Sequence, residues 1–116
     1  MIENDSTLIA AMGLITNAGN AKSTAFEAIQ AAKSKNFALA DSKLKEANNA
    51  LVEAHNSQTK MLADEAGGKH STVTLLMVHS QDHLMTSITF LDLATEIVNL
   101  YKVIFSGKLP DRVKEN

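Results

Sequence analysis

The chain has 116 residues, 45% of them hydrophobic, with a formal net charge of −2 and a pI near 6.0. That length fits one domain, and the apolar fraction is enough to build a core, which argues against wholesale disorder. The eleven Lys and Arg residues form no basic run, aromatics are 4% and Trp is absent. The chain therefore lacks the electrostatic footprint of a nucleic-acid binder and the stacking platforms of a single-strand binder. It has no cysteine, which excludes a disulfide framework, a thiolate metal site and a cysteine nucleophile.

The opening stretch MIENDSTLIA has no basic segment followed by an apolar core. No secretory signal is read there, and a cytoplasmic location is expected. A first helix is expected over about 6–34, starting at Asp5 or Ser6, both good N-caps. Its apolar positions include Leu8, Met12, Ile15, Phe26 and Ile29, and it should end near Ser34. The small stretch Ala18-Gly19-Asn20-Ala21 either lets another backbone come close or marks a local irregularity.

A second helix is expected over 36–66, capped by Asn36 just before Phe37. Its pattern is clean: Phe37, Ala40, Leu44, Ala47, Leu51, Ala54, Gln58 and Met61 recur in steps of three and four, which is a heptad seam. Gln58 breaks the apolar run where Leu would be expected, and is read as filling a polar register position or contacting the third helix. Gly67-Gly68 can take the left-handed conformation of a helix C-terminus. No G-x-x-x-x-G-K-[ST] surrounds it, so it is a turn and not a phosphate loop.

A third helix is expected from Ser71 or Thr72 to about Phe105, ended by Gly107 and Pro110. At about 1.5 Å per residue it would be roughly 50 Å long. Period-two β-branched runs are missing. Two short links and three long helices imply an all-α, antiparallel up-down-up three-helix bundle, one domain over 1–116 with a flexible tail at 106–116. From Ser71 to Leu91 the one formal charge is Asp82, but serines, threonines and two histidines interrupt the stretch. A membrane span needs about 20 predominantly apolar residues, so burial by other protein is the better reading.

At its centre the third helix reads VHSQDHLMT, Val78 to Thr86. At about 100° per residue, His79, Asp82, His83 and Thr86 fall within an arc of roughly 100°. Leu75, Phe90, Leu93 and Ile97 continue that stripe, while Leu76, Met77, Leu84, Ile88, Leu91 and Val98 form a second one. Gln81, Asp92, Glu96 and Asn99 take the remaining side. Roughly two thirds of the circumference is thus apolar, more than a helix in a lone bundle buries, and a homo-oligomer built along this helix is expected.

Polar groups in such a face need a reason, because burying them unpaired costs free energy. Three readings stand. Histidines at i and i+4 with Asp82 could hold a zinc-type ion, although Ser80 stands where the glutamate of H-E-x-x-H would be. A neutral imidazole could instead carry a phosphoryl group, with His83, Gln81, the hydroxyls of Ser80 and Thr86 and groups from a neighbouring chain as candidate supporting groups. Or the cluster is a polar layer that fixes register in an oligomer core. A lone acid at a symmetry axis would meet its own copies, and like charges must then share a proton, bind a cation or keep water. His55 is a candidate hydrogen bonder near helix three and His70 a solvated loop residue. Met61, Met77 and Met85 would fill core or interface gaps.

The segment LLMVHSQDHLMTSI resembles the signature of the lactose/cellobiose-type enzyme IIA of the bacterial phosphoenolpyruvate-dependent sugar phosphotransferase system. EAHNSQTKMLADEAGG, NAGNAKSTAFEAI and EIVNLYK are similar to the flanking regions of that family, so the resemblance covers about 7–105. Ser80 departs from it, since Ala or Gly is usual there. The resemblance implies a homotrimer in which three helices per subunit make a nine-helix bundle. It implies that His79 accepts a phosphoryl group from HPr and passes it to a cysteine of enzyme IIB during uptake of a lactose/cellobiose/chitobiose-type sugar. Gln81 and His83 are then accessory residues of a site at a subunit interface. Asp82, one from each subunit, would bind a divalent metal ion at the threefold axis, and oxygen-only ligation favours magnesium or calcium. The alternative is a metal-binding or purely structural trimeric bundle.

Overall fold

The computed structural model describes residues 2–107, and three helices account for nearly all of them: α1 Ile2–Lys33, α2 Phe37–Ala66 and α3 Leu75–Ser106. They pack as the expected all-α three-helix bundle, and no strand occurs among the described residues. None of the helices is long and apolar enough to cross a membrane. Most of the expected tail, 108–116, lies outside the described residues.

Local chemistry sets most of the boundaries. The Asn36 side chain accepts from the Leu39 amide at 3.2 Å and caps α2 as expected. The α1–α2 link closes as a Schellman turn: the amide of Asn36 donates to the Ala31 carbonyl (2.9 Å) and that of Lys35 to Ala32 (3.0 Å). Lys35 takes the left-handed position at φ 64°, a conformation uncommon outside glycine. Its ammonium lies 4.8 Å from the centre of the Phe105 ring, tying the link to the end of α3. The same turn ends α2, with Gly68 at φ 94° and the Lys69 amide on the Asp64 carbonyl at 2.8 Å. Gly107, at φ 70°, ends α3 as expected.

Two starts differ from expectation. α1 is helical through Asp5 and Ser6, so neither caps it. Adding a residue to a formed helix gains a hydrogen bond at little cost, and modest propensities do not stop it. α3 starts at Leu75, later than Ser71 or Thr72. Thr74 caps it, its hydroxyl accepting from the Met77 amide at 3.1 Å.

The core lies where three heptad seams meet. α1 contributes Ala11, Leu14, Ala18, Ala21, Ala25, Ala28 and Ala32, all buried. α2 contributes Ala40, Ala47, Leu51, Ala54 and Gln58, on the seam read from its sequence. α3 contributes Met77, Ser80, Leu84, Ser87, Leu91, Ala94 and Val98. Alanine and serine dominate, and small side chains let helix axes come close. Apart from Leu14, the larger apolar side chains of α1 lie outside this seam: Leu8, Met12 and Phe26 are exposed, and Ile15 and Ile29 half-buried. Ala18 and Ala21 are buried in the seam, whereas a side chain at Gly19 would meet nothing within 4 Å. Outside the core, Lys43 bridges Glu27 of α1 at 3.2 Å; its pKa is raised, first by that hydrogen bond and charge.

Candidate functional site

The packing divides α3 into an inner seam and an outer face. The second apolar stripe read from the sequence, with Met77, Leu84, Leu91 and Val98, is the inner one. Most of the first stripe points away from the bundle: Leu75, Leu93 and Ile97 are exposed, together with Val78, Leu100 and Ile104, while Phe90 is half-buried against the core. His79, Asp82 and Thr86 lie on that uncovered face, and His83 is half-buried at its edge. α1 runs beside the His83 edge, since Lys22 of α1 lies 5.8 Å from the ring centre of Phe90, two turns along from His83. α2 runs beside the opposite edge, which holds Gln81.

The His79 and His83 rings meet edge to face, with centroids 4.6 Å apart and planes at 77°. Imidazole lone pairs lie in the ring plane, so this contact does not converge two nitrogens on one ion. No three His, Cys, Asp or Glu side chains come together as a metal site among the described residues. The chelate of His79, His83 and Asp82 within one chain is therefore not formed. His79 packs against His83 and remains exposed.

Two hydroxyls proposed to support the site are committed elsewhere. Ser80 is fully buried in the inner seam and donates to the Met77 carbonyl at 2.7 Å. It occupies a position where a side chain must fit against the alanine seam, which is why its neighbour His79 is outside and it is not. Thr86 donates back to the Asp82 carbonyl at 2.8 Å. Gln81 lies about 200° around the helix from His79 and faces α2. Its Oε1 accepts from Gln58 Nε2 at 2.7 Å, and its Nε2 lies 3.6 Å from Met77 Sδ and 3.9 Å from Met61 Sδ. Gln58 thus contacts α3 directly; the break in an otherwise apolar seam was the sequence signal for it.

His55 is exposed and lines a shallow cleft of about 240 Å³ between α2 and α3, with Val52, Ile88 and Asp92. His70 is exposed in the α2–α3 link, its Nδ1 3.1 Å from a Glu65 oxygen. A wider cleft of about 440 Å³, lined by Asn17, Ser57, Lys60, Asp64 and Met61 among others, contains no histidine.

An exposed imidazole braced by a second one, on a helix face its own chain leaves uncovered, fits a group-carrying site. Residues 9–102 match the family described as the lactose/cellobiose-specific IIA subunit of the PTS system. The chain is 48% identical over 91 residues to the lichenan-specific phosphotransferase enzyme IIA component of Bacillus subtilis, covering 78% of this chain and 83% of that protein. It is 50% identical over 95 residues to the cellobiose-specific EIIA component of Lactococcus lactis, covering 82% of each. Its fold superposes on the crystal structure of the cellobiose-specific enzyme IIA of Bacillus anthracis with a TM-score of 0.81 at 42% identity, over 84% of this chain and 89% of that one. It also superposes on the chitobiose IIA of Escherichia coli, solved in complex with HPr, with a TM-score of 0.74 at 40% identity, over 84% and 95% of the two chains. The chain belongs to the lactose/cellobiose-specific IIA family of the sugar phosphotransferase system and is a phosphotransferase component.

Proposed function

We propose that this protein is a cytoplasmic phosphocarrier that takes a phosphoryl group from phospho-HPr onto His79 and gives it to a cysteine of its IIB partner, during uptake of a lactose/cellobiose/chitobiose-type sugar. The observation that carries the reading is the exposed His79 imidazole, braced edge-on by His83 in the His-Ser-Gln-Asp-His motif of a IIA chain. The E. coli relative's complex with HPr supports the donor.

In the transfer, the lone pair of one neutral His79 ring nitrogen forms the new N–P bond. The N–P bond of the donor histidine breaks and its electron pair returns to the donor ring. The proton on the other His79 nitrogen leaves as the donor imidazole regains one, so charge and protons balance. Delivery to IIB is the same exchange, with a thiolate sulfur as nucleophile and the His79 nitrogen as leaving group. No cysteine of this chain can compete, because it has none.

The working unit in this reading is a homotrimer, nine helices in all, with the outer faces of three α3 helices around a threefold axis. The exposed Leu75, Leu93, Ile97, Leu100 and Ile104 support it, since a monomer does not usually expose so long an apolar stripe. Asp82 lies among them, and three copies would bring three carboxylates together. A hard divalent ion, magnesium or calcium, suits an oxygen-only donor set and would neutralise those charges. Cyclic packing about the outer face would set the His83 edge of one copy, next to His79, against the Gln81 edge of the next. Gln81 and His83 then act as accessory groups toward the phosphoryl oxygens.

The test is phosphorylation of the purified protein by phosphoenolpyruvate, enzyme I and HPr. Acid-labile, base-stable phosphate mapped to His79 is expected. No incorporation, with HPr shown to be charged, overturns the reading.

A further inference from the structure

Among the described residues, α2 and α3 are joined by a part-buried hydrogen bond between two carboxamides. Gln58 is only 8% exposed, and its Nε2 donates to Gln81 Oε1 at 2.7 Å while lying 3.7 Å from Met85 Sδ. This bond fixes which way the Gln81 carboxamide points. With its oxygen on Gln58, its amide nitrogen faces the sulfurs of Met77 and Met61 at 3.6 and 3.9 Å. Reversing the group would set a carbonyl oxygen against two sulfur lone pairs and leave Gln58 to turn as well. Thioether sulfur is a weak acceptor, so the Gln81 NH₂ keeps most of its donor capacity. A buried seam position that would otherwise take an aliphatic side chain is occupied instead by a group whose direct polar effect is to orient that donor.

We propose that Gln58 is a positioning residue for phosphoryl transfer: it holds the Gln81 carboxamide so that its N–H donors, and not its oxygen, meet the phosphoryl group on His79 of the adjoining copy. This rests on the phosphocarrier reading and on the cyclic assembly. Gln81 cannot serve His79 of its own chain, because it lies about 200° around α3 from His79 and faces α2.

Two substitutions separate positioning from packing. Gln58→Met removes the hydrogen bond with little change in shape and leaves only the two weak sulfur contacts to orient the Gln81 amide. Gln58→Glu can only accept while ionised, so it draws the Gln81 NH₂ to itself and turns its oxygen toward the phosphoryl group. Acceptance from phospho-HPr is expected to fall roughly tenfold in the first and roughly a hundredfold in the second, the scale seen when a donor to a developing oxyanion is lost or reversed. The concentration of HPr giving half-maximal rate should stay the same, since Gln58 is buried. Lowering the pH should narrow the gap between Gln58→Glu and wild type measured at the same pH, because the protonated side chain can donate to Gln81 again, while the loss of neutral His79 is common to both.

A direct readout uses the intact wild-type protein: the Gln81 side-chain NH₂ resonances should move on phosphorylation, and in Gln58→Met they should move much less. That measurement decides the matter should Gln58→Glu fail to fold. Wild-type Gln81 resonances that stay put overturn the proposal, as does a folded Gln58→Glu protein that accepts at least as fast as Gln58→Met. Wild-type protein that takes no phosphate from charged HPr overturns the phosphocarrier reading instead.

Discussion

Both faces of α3 carry large apolar side chains, and its own chain covers only one of them. Its inner seam holds the smaller side chains, Ser80, Ser87 and Ala94 among Met77, Leu84, Leu91 and Val98. Its outer face carries Leu75, Leu93, Ile97, Leu100 and Ile104, each exposed. The inner face is shaped for close approach to an alanine seam and the outer one for burial against something beyond the chain. His79 and Asp82 lie on the outer face, so the groups with chemical potential are those the monomer leaves free.

The largest expected effect is at His79. His79→Gln should abolish phosphoryl acceptance in the HPr assay yet leave the thermal melt unchanged, because the side chain is exposed and supports none of the core. Acceptance of stoichiometric phosphate by that variant would break the assignment. Next, Leu84→Ala on the inner seam should cost about 2–5 kcal/mol in urea unfolding, the range for deleting a fully buried leucine.

The outer face should respond differently. Leu93→Asp should shift sedimentation toward monomer and remove the concentration dependence of the melting temperature. A variant that stays trimeric would show that the outer stripe is not the assembly surface. Asp82→Leu should keep or strengthen the trimer, since replacing buried like charges by apolar groups often stabilises; dissociation on sizing would count against an axial position.

The smallest effect is back inside. Ser87 is fully buried, and its hydroxyl has no hydrogen-bond partner among the described residues. Ser87→Ala should be neutral or stabilising by up to about 1 kcal/mol, because it removes a polar group that folding desolvates without a partner. A clear loss of stability in urea unfolding would mean that the hydroxyl is satisfied in the folded protein.

Much of this was legible residue by residue. Asn36, Gly68 and Gly107 act where their side chains or backbone freedom predicted. Ser80 was not legible as a core residue, because serine carries no mark of burial and its position becomes a seam only opposite the alanines of α1. Gln58 was visible as an interruption, but its partner, 23 positions away on another helix, was not. The starts of α1 and α3 were misplaced because several adjacent residues could cap equally well, and the choice among them depends on where packing begins.

The sequence alone determined three helices, their links, the heptad seam of α2 and the histidine motif, because helix periodicity and cap chemistry act over a few neighbouring residues. It also resembled the family that the comparisons bear out. It left open which stripe of α3 is inside, since a helix apolar over most of its circumference has no single preferred face. Only the tertiary structure decided that. The alanine seam of α1 admits close packing from the side of Ser80 and Ser87, and in doing so it turns His79 and Asp82 outward.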